Sequence, residues 1–140
     1  MSTLTAEQKE FLLQGTRTGK LATVRKDGRP HVVPIWFVLD GDTLIFNTGD
    51  ATVKAANIRR DARVTICVDD ENPPYSFIIV EGIATLEANS KDLKVWATRI
   101  GGRYMGSDKA EQFGERNSTP EELVVRVTPT KVIFARDLAE

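Results

Sequence analysis

Apolar and polar positions alternate along much of this chain, and the alternation marks out strands. Leu21-Ala22-Thr23-Val24 opens the first. Lys26-Asp27-Gly28-Arg29 turns it, because a glycine at the second central position accepts positive φ. The second strand reads His31-Val32-Val33-Pro34-Ile35-Trp36-Phe37-Val38-Leu39, and Asp40-Gly41-Asp42 turns it into Thr43-Leu44-Ile45-Phe46-Asn47-Thr48. This is an antiparallel meander. The pattern then predicts a helix over about 51–60, with Val53, Ala56 and Asn57 on one side, and a fourth strand over 63–69. After the loop Glu71-Asn72-Pro73-Pro74 comes a long fifth strand over 75–87, broken near Gly82 in the manner of a bulge.

Helical spacing appears in three further places. Thr5-Ala6-Glu7-Gln8 fits a capping box, with Leu4 positioned to staple onto a first helix whose Phe11, Leu12 and Leu13 supply apolar surface. Ser90 is placed to cap a helix reaching about Ile100, with Leu93, Trp96, Ala97 and Ile100 on one face and Gly101-Gly102 as its end. A weaker helical stretch covers 108–115. Segments 123–127 and 131–135 read as two last strands, or as one bent at Pro129.

Six or seven strands with mostly short links, and two or three helices, predict a mainly β, α+β fold. The expected form is a small antiparallel barrel, closed or split, since curling a sheet removes its exposed edges. No repeat, low-complexity tract or long linker divides the sequence, so one domain is expected over 1–140.

Composition narrows the function. The chain is 41% hydrophobic and 28% charged, which suits a packed core. Its formal net charge of -1 argues against general nucleic-acid binding, which needs surplus lysine and arginine to neutralise phosphates. Residues 1–8 show neither a basic n-region nor an apolar h-region, and no apolar run reaches the length of a membrane span. A cytoplasmic location and no membrane partner are therefore expected. The single cysteine, Cys67, lies in the apolar run Val64-Thr65-Ile66-Cys67-Val68 and reads as a small buried hydrophobe rather than a nucleophile. With one cysteine and one histidine, His31, no zinc set is available, and His31 reads as exposed and without a role. Gly-x-Ser-x-Gly, Gly-x-Gly-x-x-Gly and P-loop patterns are all absent.

Four places are left that can form a site, each with a plain structural alternative. Pro34 has no N–H to give a ladder, so Val33-Pro34-Ile35-Trp36 is either an ordinary edge strand or a stretch whose freed backbone groups meet a planar heterocycle. The strand-to-helix junction from Asn47 through Val53 and Lys54 offers the hydroxyls of Thr48 and Thr52 and the Lys54 amine to one phosphate, with Asn57 a turn further on. The alternative there is an amphipathic helix with Lys54 in solvent. Arg25, Lys26, Arg29 and Arg59, Arg60, Arg63 are solvated charges or a groove for an anionic tail. The segment 96–105 closes over a ligand, packs on a partner subunit, or is core.

Together Gly19-Lys20-Leu21-Ala22-Thr23-Val24, Asp27-Gly28-Arg29-Pro30-His31-Val32-Val33-Pro34-Ile35-Trp36-Phe37, Lys54-Ala55-Ala56-Asn57-Ile58-Arg59-Arg60-Asp61 and Val80-Glu81-Gly82 resemble the pyridoxamine-phosphate-oxidase-like split-barrel family. The chain is most similar to its branch of deazaflavin (coenzyme F420)-dependent reductases. The resemblance implies a homodimer with two cofactor clefts at its interface. It places the family's phosphate-binding lysine on Lys54 and the neighbouring hydroxyls on Thr48 and Thr52, where relatives often carry an arginine near the Thr52 position. It lays the cofactor ring along Val33, Pro34, Ile35 and Trp36, flanks it with Ile66, Cys67 and Val68, and brings 96–104 from the other subunit. The implied activity is hydride transfer from reduced F420 to an electron-poor small organic substrate. FMN in the same site, or a non-enzymatic flavin- or haem-binding role, are the alternatives. No residue is assigned as a catalytic acid or base; the proton comes from water, or from Tyr104 if it reaches the cleft.

Overall fold

Among the described residues seven strands and four α-helices follow one another, more helices than the two or three expected, because the weak helical stretch near 108–115 also folds as a helix. The computed structural model describes residues 3–140; Met1 and Ser2, part of the segment read for a leader, lie outside it. The elements are α1 (Ala6–Leu13), β1 (Gly19–Val24), β2 (Pro30–Ile35), β3 (Val38–Asp40), β4 (Thr43–Gly49), α2 (Val53–Arg60), β5 (Arg63–Asp70), β6 (Ser76–Glu87), α3 (Leu93–Met105), α4 (Ala110–Arg116) and β7 (Glu122–Ala135). All neighbouring strands pair antiparallel, in the order β2-β1-β5-β6-β7-β4-β3.

That order obliges the sheet to curl. β2 and β3 lie at its two ends, yet only Trp36 and Phe37 join them. Laid flat at about 4.8 Å per strand, the ends of seven strands stand about 29 Å apart. The chain from Ile35 to Val38 reaches about 10 Å at most. The ends therefore meet, and the inward side chains form one core: Leu21, Phe37, Leu44, Phe46, Ile66, Val68, Ile78, Val80, Val125 and Val127 among them. The expected antiparallel barrel is thus observed.

The single strand expected from His31 to Leu39 is two strands. The break falls at Trp36-Phe37, because the chain changes partners there. β2 pairs with β1 through Pro34, which stands opposite Lys20, whereas β3 pairs with β4. Pro34 is tolerated because β2 is an edge strand in the ladder.

β6 and β7 are the long hairpin-like walls. Their register shifts between Glu81 and Gly82, opposite Pro129 and Lys131, so the predicted bulge is present and Pro129 is taken up inside one continuous strand. Gly82 is required there: a Cβ would sit 2.6 Å from the Thr128 carbonyl oxygen.

Helix α1 carries its capping box, with Thr5 Oγ1 accepting from the Gln8 N–H at 3.1 Å and Gln8 Oε1 from the Thr5 N–H at 2.9 Å. Leu4 and Leu12 enter the core, while Leu13 stays exposed. Helix α2 starts at Val53 behind the N-cap Thr52 and buries Ala55, Asn57 and Ile58; Val53 and Ala56 face outward, contrary to the expected face.

Helix α3 runs through Gly101-Gly102 instead of ending there. The two glycines face α4, where a Cβ on Gly101 would lie 2.6 Å from that of Phe113. They permit close helix approach; the end comes at Gly106, with φ 101. Nor does Ser90 cap the helix: it lies two residues before the N-cap position, which Asp92 occupies, and its Oγ accepts the Asp92 N–H. α3 covers a second apolar cluster of Val38, Ile45, Leu93, Trp96, Ile100 and Val124. Among the described residues no helix is long and apolar enough to cross a membrane.

Candidate functional site

The barrel seam and the first turn of α2 face each other across a cleft of about 280 Å³. Pro34, Ile35 and Trp36 line it from the end of β2, Asn47 from β4 and Lys54 from α2. Ile100 of α3, Asn117 and Glu122 close it from the other side. Five residues singled out in the sequence thus meet in one place, although up to 20 residues of chain separate Pro34 from Lys54.

Lys54 is half-buried. Burial pushes its ammonium below the ordinary lysine range, and the Glu122 carboxylate opposes that fall. Its Nζ makes no hydrogen bond among the described residues. Glu122 is displaced the other way: burial raises its carboxyl, Lys54 lowers it, and Asp50 and Glu121 raise it again. Two buried acceptors in the cleft, Glu122 Oε2 and Asn47 Oδ1, have no donor among the described residues. The Asn47 amide is oriented by its other end, where Nδ2 donates to the Asn117 carbonyl at 3.3 Å.

Trp36 forms an aromatic wall. It stacks on Tyr104 with centroids 5.0 Å apart and planes 3° from parallel. The Tyr104 hydroxyl is not free for the cleft: it donates to the Arg17 carbonyl at 2.8 Å and accepts the Phe37 N–H at 3.2 Å. Burial, the leading cause, also raises its pKa. Tyr104 and Trp96 are thus held by their own chain, Trp96 in the core beneath α3.

The other predicted site residues lie elsewhere or are already engaged. Thr52 Oγ1 donates to the Gly49 carbonyl at 2.9 Å, accepts the Ala55 N–H at 3.3 Å and pairs with Thr48 Oγ1 at 2.9 Å. Its proton is spent on Gly49, so the Thr48 hydroxyl is the donor of the pair. Both hydroxyls therefore shape the turn into α2. Asn57 is 3% exposed; its amide donates to Thr23 Oγ1 at 3.0 Å and accepts from Arg60 at 3.3 Å, tying α2 to β1. Val33 packs against the core, and Ile66 and Val68 are inside the barrel. Cys67 stands on the outer face of β5, with burial raising its thiol pKa. Val53 is exposed and, with Asn57, borders a wider groove of about 540 Å³ lined by Arg25, Lys26, Asp27 and Arg29 of the β1–β2 hairpin. Arg59, Arg60 and Arg63 are engaged with Asp50, Val24, Asn57 and Asp61. His31 is half-buried rather than exposed.

Sequence reasoning missed Glu122 and Asn117, while Ile100 lies in the 96–105 segment read as able to close over a ligand. Glu122 reaches the cleft because β7 pairs with β4 so that it lies opposite Gly49, a contact across more than 70 residues. No local signal marks it.

The family model described as pyridoxamine 5'-phosphate oxidase matches residues 4–136. The chain belongs to that family. Solved structures similar to it include the conserved hypothetical protein Rv2991 from Mycobacterium tuberculosis, 25% identical with a TM-score of 0.84 over 100% of this chain and 90% of that one. They also include an F420 reductase, 28% identical with a TM-score of 0.71 over 89% of this chain and 94% of that one. HutZ, a heme storage protein from Vibrio cholerae, is 20% identical with a TM-score of 0.72 over 96% of each chain, and shares the fold alone. Among the described residues no group of three or more His, Cys, Asp or Glu side chains could hold a metal ion.

Proposed function

We propose that this member of the pyridoxamine 5'-phosphate oxidase family is an oxidoreductase that binds coenzyme F420 in the Trp36–Lys54 cleft and reduces an electron-poor small organic substrate. The observation that carries the reading is the Lys54 ammonium: half-buried at a helix start, in a cleft, with no hydrogen bond of its own. An anion held there gains a charge-assisted bond, and first-turn N–H groups favour the same charge. The likeness to an F420 reductase over most of both chains supports the choice of cofactor.

The residues present fit such a group. Lys54 would hold the phosphate of the stem, and Pro34 and Trp36 would offer a flat apolar wall to the ring. The hairpin groove with Arg25, Lys26 and Arg29 also borders α2, and it suits an anionic tail, which F420 carries and FMN lacks. When bound, the coenzyme supplies the hydride. The chain's part is to orient the ring, screen it from water on the Trp36 side and fix the anion. With the Tyr104 hydroxyl committed to backbone groups, the proton for the substrate comes from solvent.

A cleft of about 280 Å³ is at the small end for a site that encloses a ligand. A second copy of the chain would complete it.

Equilibrium titration with F420 and with FMN, followed by fluorescence, tests the proposal. F420 is expected to bind more tightly than FMN. Lys54→Ala removes a charge-assisted bond of about 1.5–3 kcal/mol and should weaken binding about 10- to 100-fold with the fold intact. Equal affinity in the variant removes the phosphate assignment.

A further inference from the structure

The cation assigned to the anion has a rival already in the cleft. Glu122 lines the same cleft as Lys54 and feels its charge, and the pairing of β7 with β4, which sets Glu122 opposite Gly49, brings it there. Asn47, opposite Val124 in the same register, lies on the same face, diagonal to Glu122. Each of these two side chains buries an acceptor oxygen that no donor reaches.

The charges around Glu122 can be followed element by element. Lys54 approaches from α2 and attracts it. Asp50, in the turn before α2, and Glu121, its neighbour on β7, repel its charge. From α3 and from the segment after α4, the cleft receives Ile100 and Asn117, which carry none. A ligand anion that takes Lys54 leaves the Glu122 carboxylate beside two acidic groups and the newcomer, with no cation.

We propose that Glu122 is a proton-linked selector of this cleft, so that an anion binds at Lys54 only together with a proton on Glu122. This rests on the reading of Lys54 as the anion's partner. The proton comes from solvent and stays on the carboxyl, and no other bond changes. It converts Oε2 from an acceptor lacking a donor into a donor, able to serve either the ligand's oxygen or Asn47 Oδ1. The same step removes the repulsion and meets an unpaired acceptor. A cleft of this kind discriminates by pH: it takes up its anionic ligand as the medium becomes more acidic and loosens it as Glu122 ionises.

The test is the ratio of the wild-type Kd to that of Glu122→Gln, measured with F420 and FMN from pH 5 to pH 9 on the full chain. Taking the ratio cancels the ligand's own titration. It should be close to one at the acid end and grow, by up to about tenfold per pH unit above the Glu122 midpoint, with the variant binding more tightly at pH 8. Calorimetry of the wild type in two buffers of different ionisation enthalpy supplies a readout that needs no variant, and uptake of about one proton per ligand is expected above that midpoint. Binding by Glu122→Gln alone at neutral pH also supports the selector. Parallel pH profiles, or no proton uptake across the range, overturn it while leaving the cofactor reading in place. Binding of neither cofactor to either protein at any pH overturns both.

Discussion

Arg103 closes the barrel seam, and its removal tests how the cleft is held. It lies in the last turn of α3 and has no acidic partner among the described residues. Nη1 donates to the Phe37 carbonyl at 2.6 Å, Nη2 to that of Leu12 at 2.7 Å and Nε to that of Gly15 at 3.1 Å. The guanidinium also lies 4.7 Å from the centroid of the Phe37 ring and 4.8 Å from that of Tyr104. One side chain thus joins the end of α1, the loop after it and the Trp36-Phe37 corner to α3. Burial lowers its pKa, but an arginine keeps its charge. Arg103→Met fills much of the volume and takes the short bonds from the part-buried Leu12 and Phe37 carbonyls, at about 1–3 kcal/mol each, while the exposed Gly15 carbonyl turns to water. The guanidinium's own desolvation cost disappears with it, which favours the lower half of that range. The net loss is about 2–4 kcal/mol, or a fall in Tm of roughly 7–14 °C for a chain of this size. Urea unfolding, followed by tryptophan fluorescence and by circular dichroism, should show a lower midpoint at unchanged slope. Arg103→Lys keeps the charge without the fork and should lie between the two. A loss below about 1 kcal/mol in the methionine variant would refute the seam argument.

Two other predictions follow from groups that look functional in the sequence and are structural in the fold. Asn57→Ala should cost about 2–3 kcal/mol in urea unfolding, because it strands the buried Thr23 hydroxyl and frees Arg60, while affinity for FMN, which has no tail to lay in the hairpin groove beside Asn57, stays within about twofold; a large loss of FMN affinity with unchanged stability would reverse that assignment. Cys67 should react with a disulfide reagent at pH 7 more slowly than a free thiol, since burial raises its pKa and so lowers its thiolate fraction; reaction at the free-thiol rate would contradict its placement.

What the sequence revealed was mostly local. The Thr5–Gln8 capping box and the Asp27-Gly28 turn depend on neighbours within a few residues, and both are present. The bulge at Gly82 was marked by a glycine inside an alternating strand. Elsewhere distant partners decide. Local rules made Gly101-Gly102 a helix end, but Phe113 and Ala110 need two residues without bulk at that crossing. Pro34 marked an edge strand, and β2 is one, but nothing local placed the strand break at Trp36-Phe37, where the change of partner from β1 to β4 puts it. The two threonines at the α2 junction looked available for a ligand, and the turn itself uses their hydroxyls. Lys54 was legible because a lysine at a strand-to-helix junction is a local pattern. Glu122 was not, because only the pairing of β4 with β7 brings it there.

The most direct measurement of the central claim is a crystal structure of the chain with F420 bound. The account predicts the phosphate within hydrogen-bond distance of Lys54 Nζ and the ring against Pro34 and Trp36. A phosphate bound elsewhere, with Lys54 still directed at Glu122 alone, would contradict it.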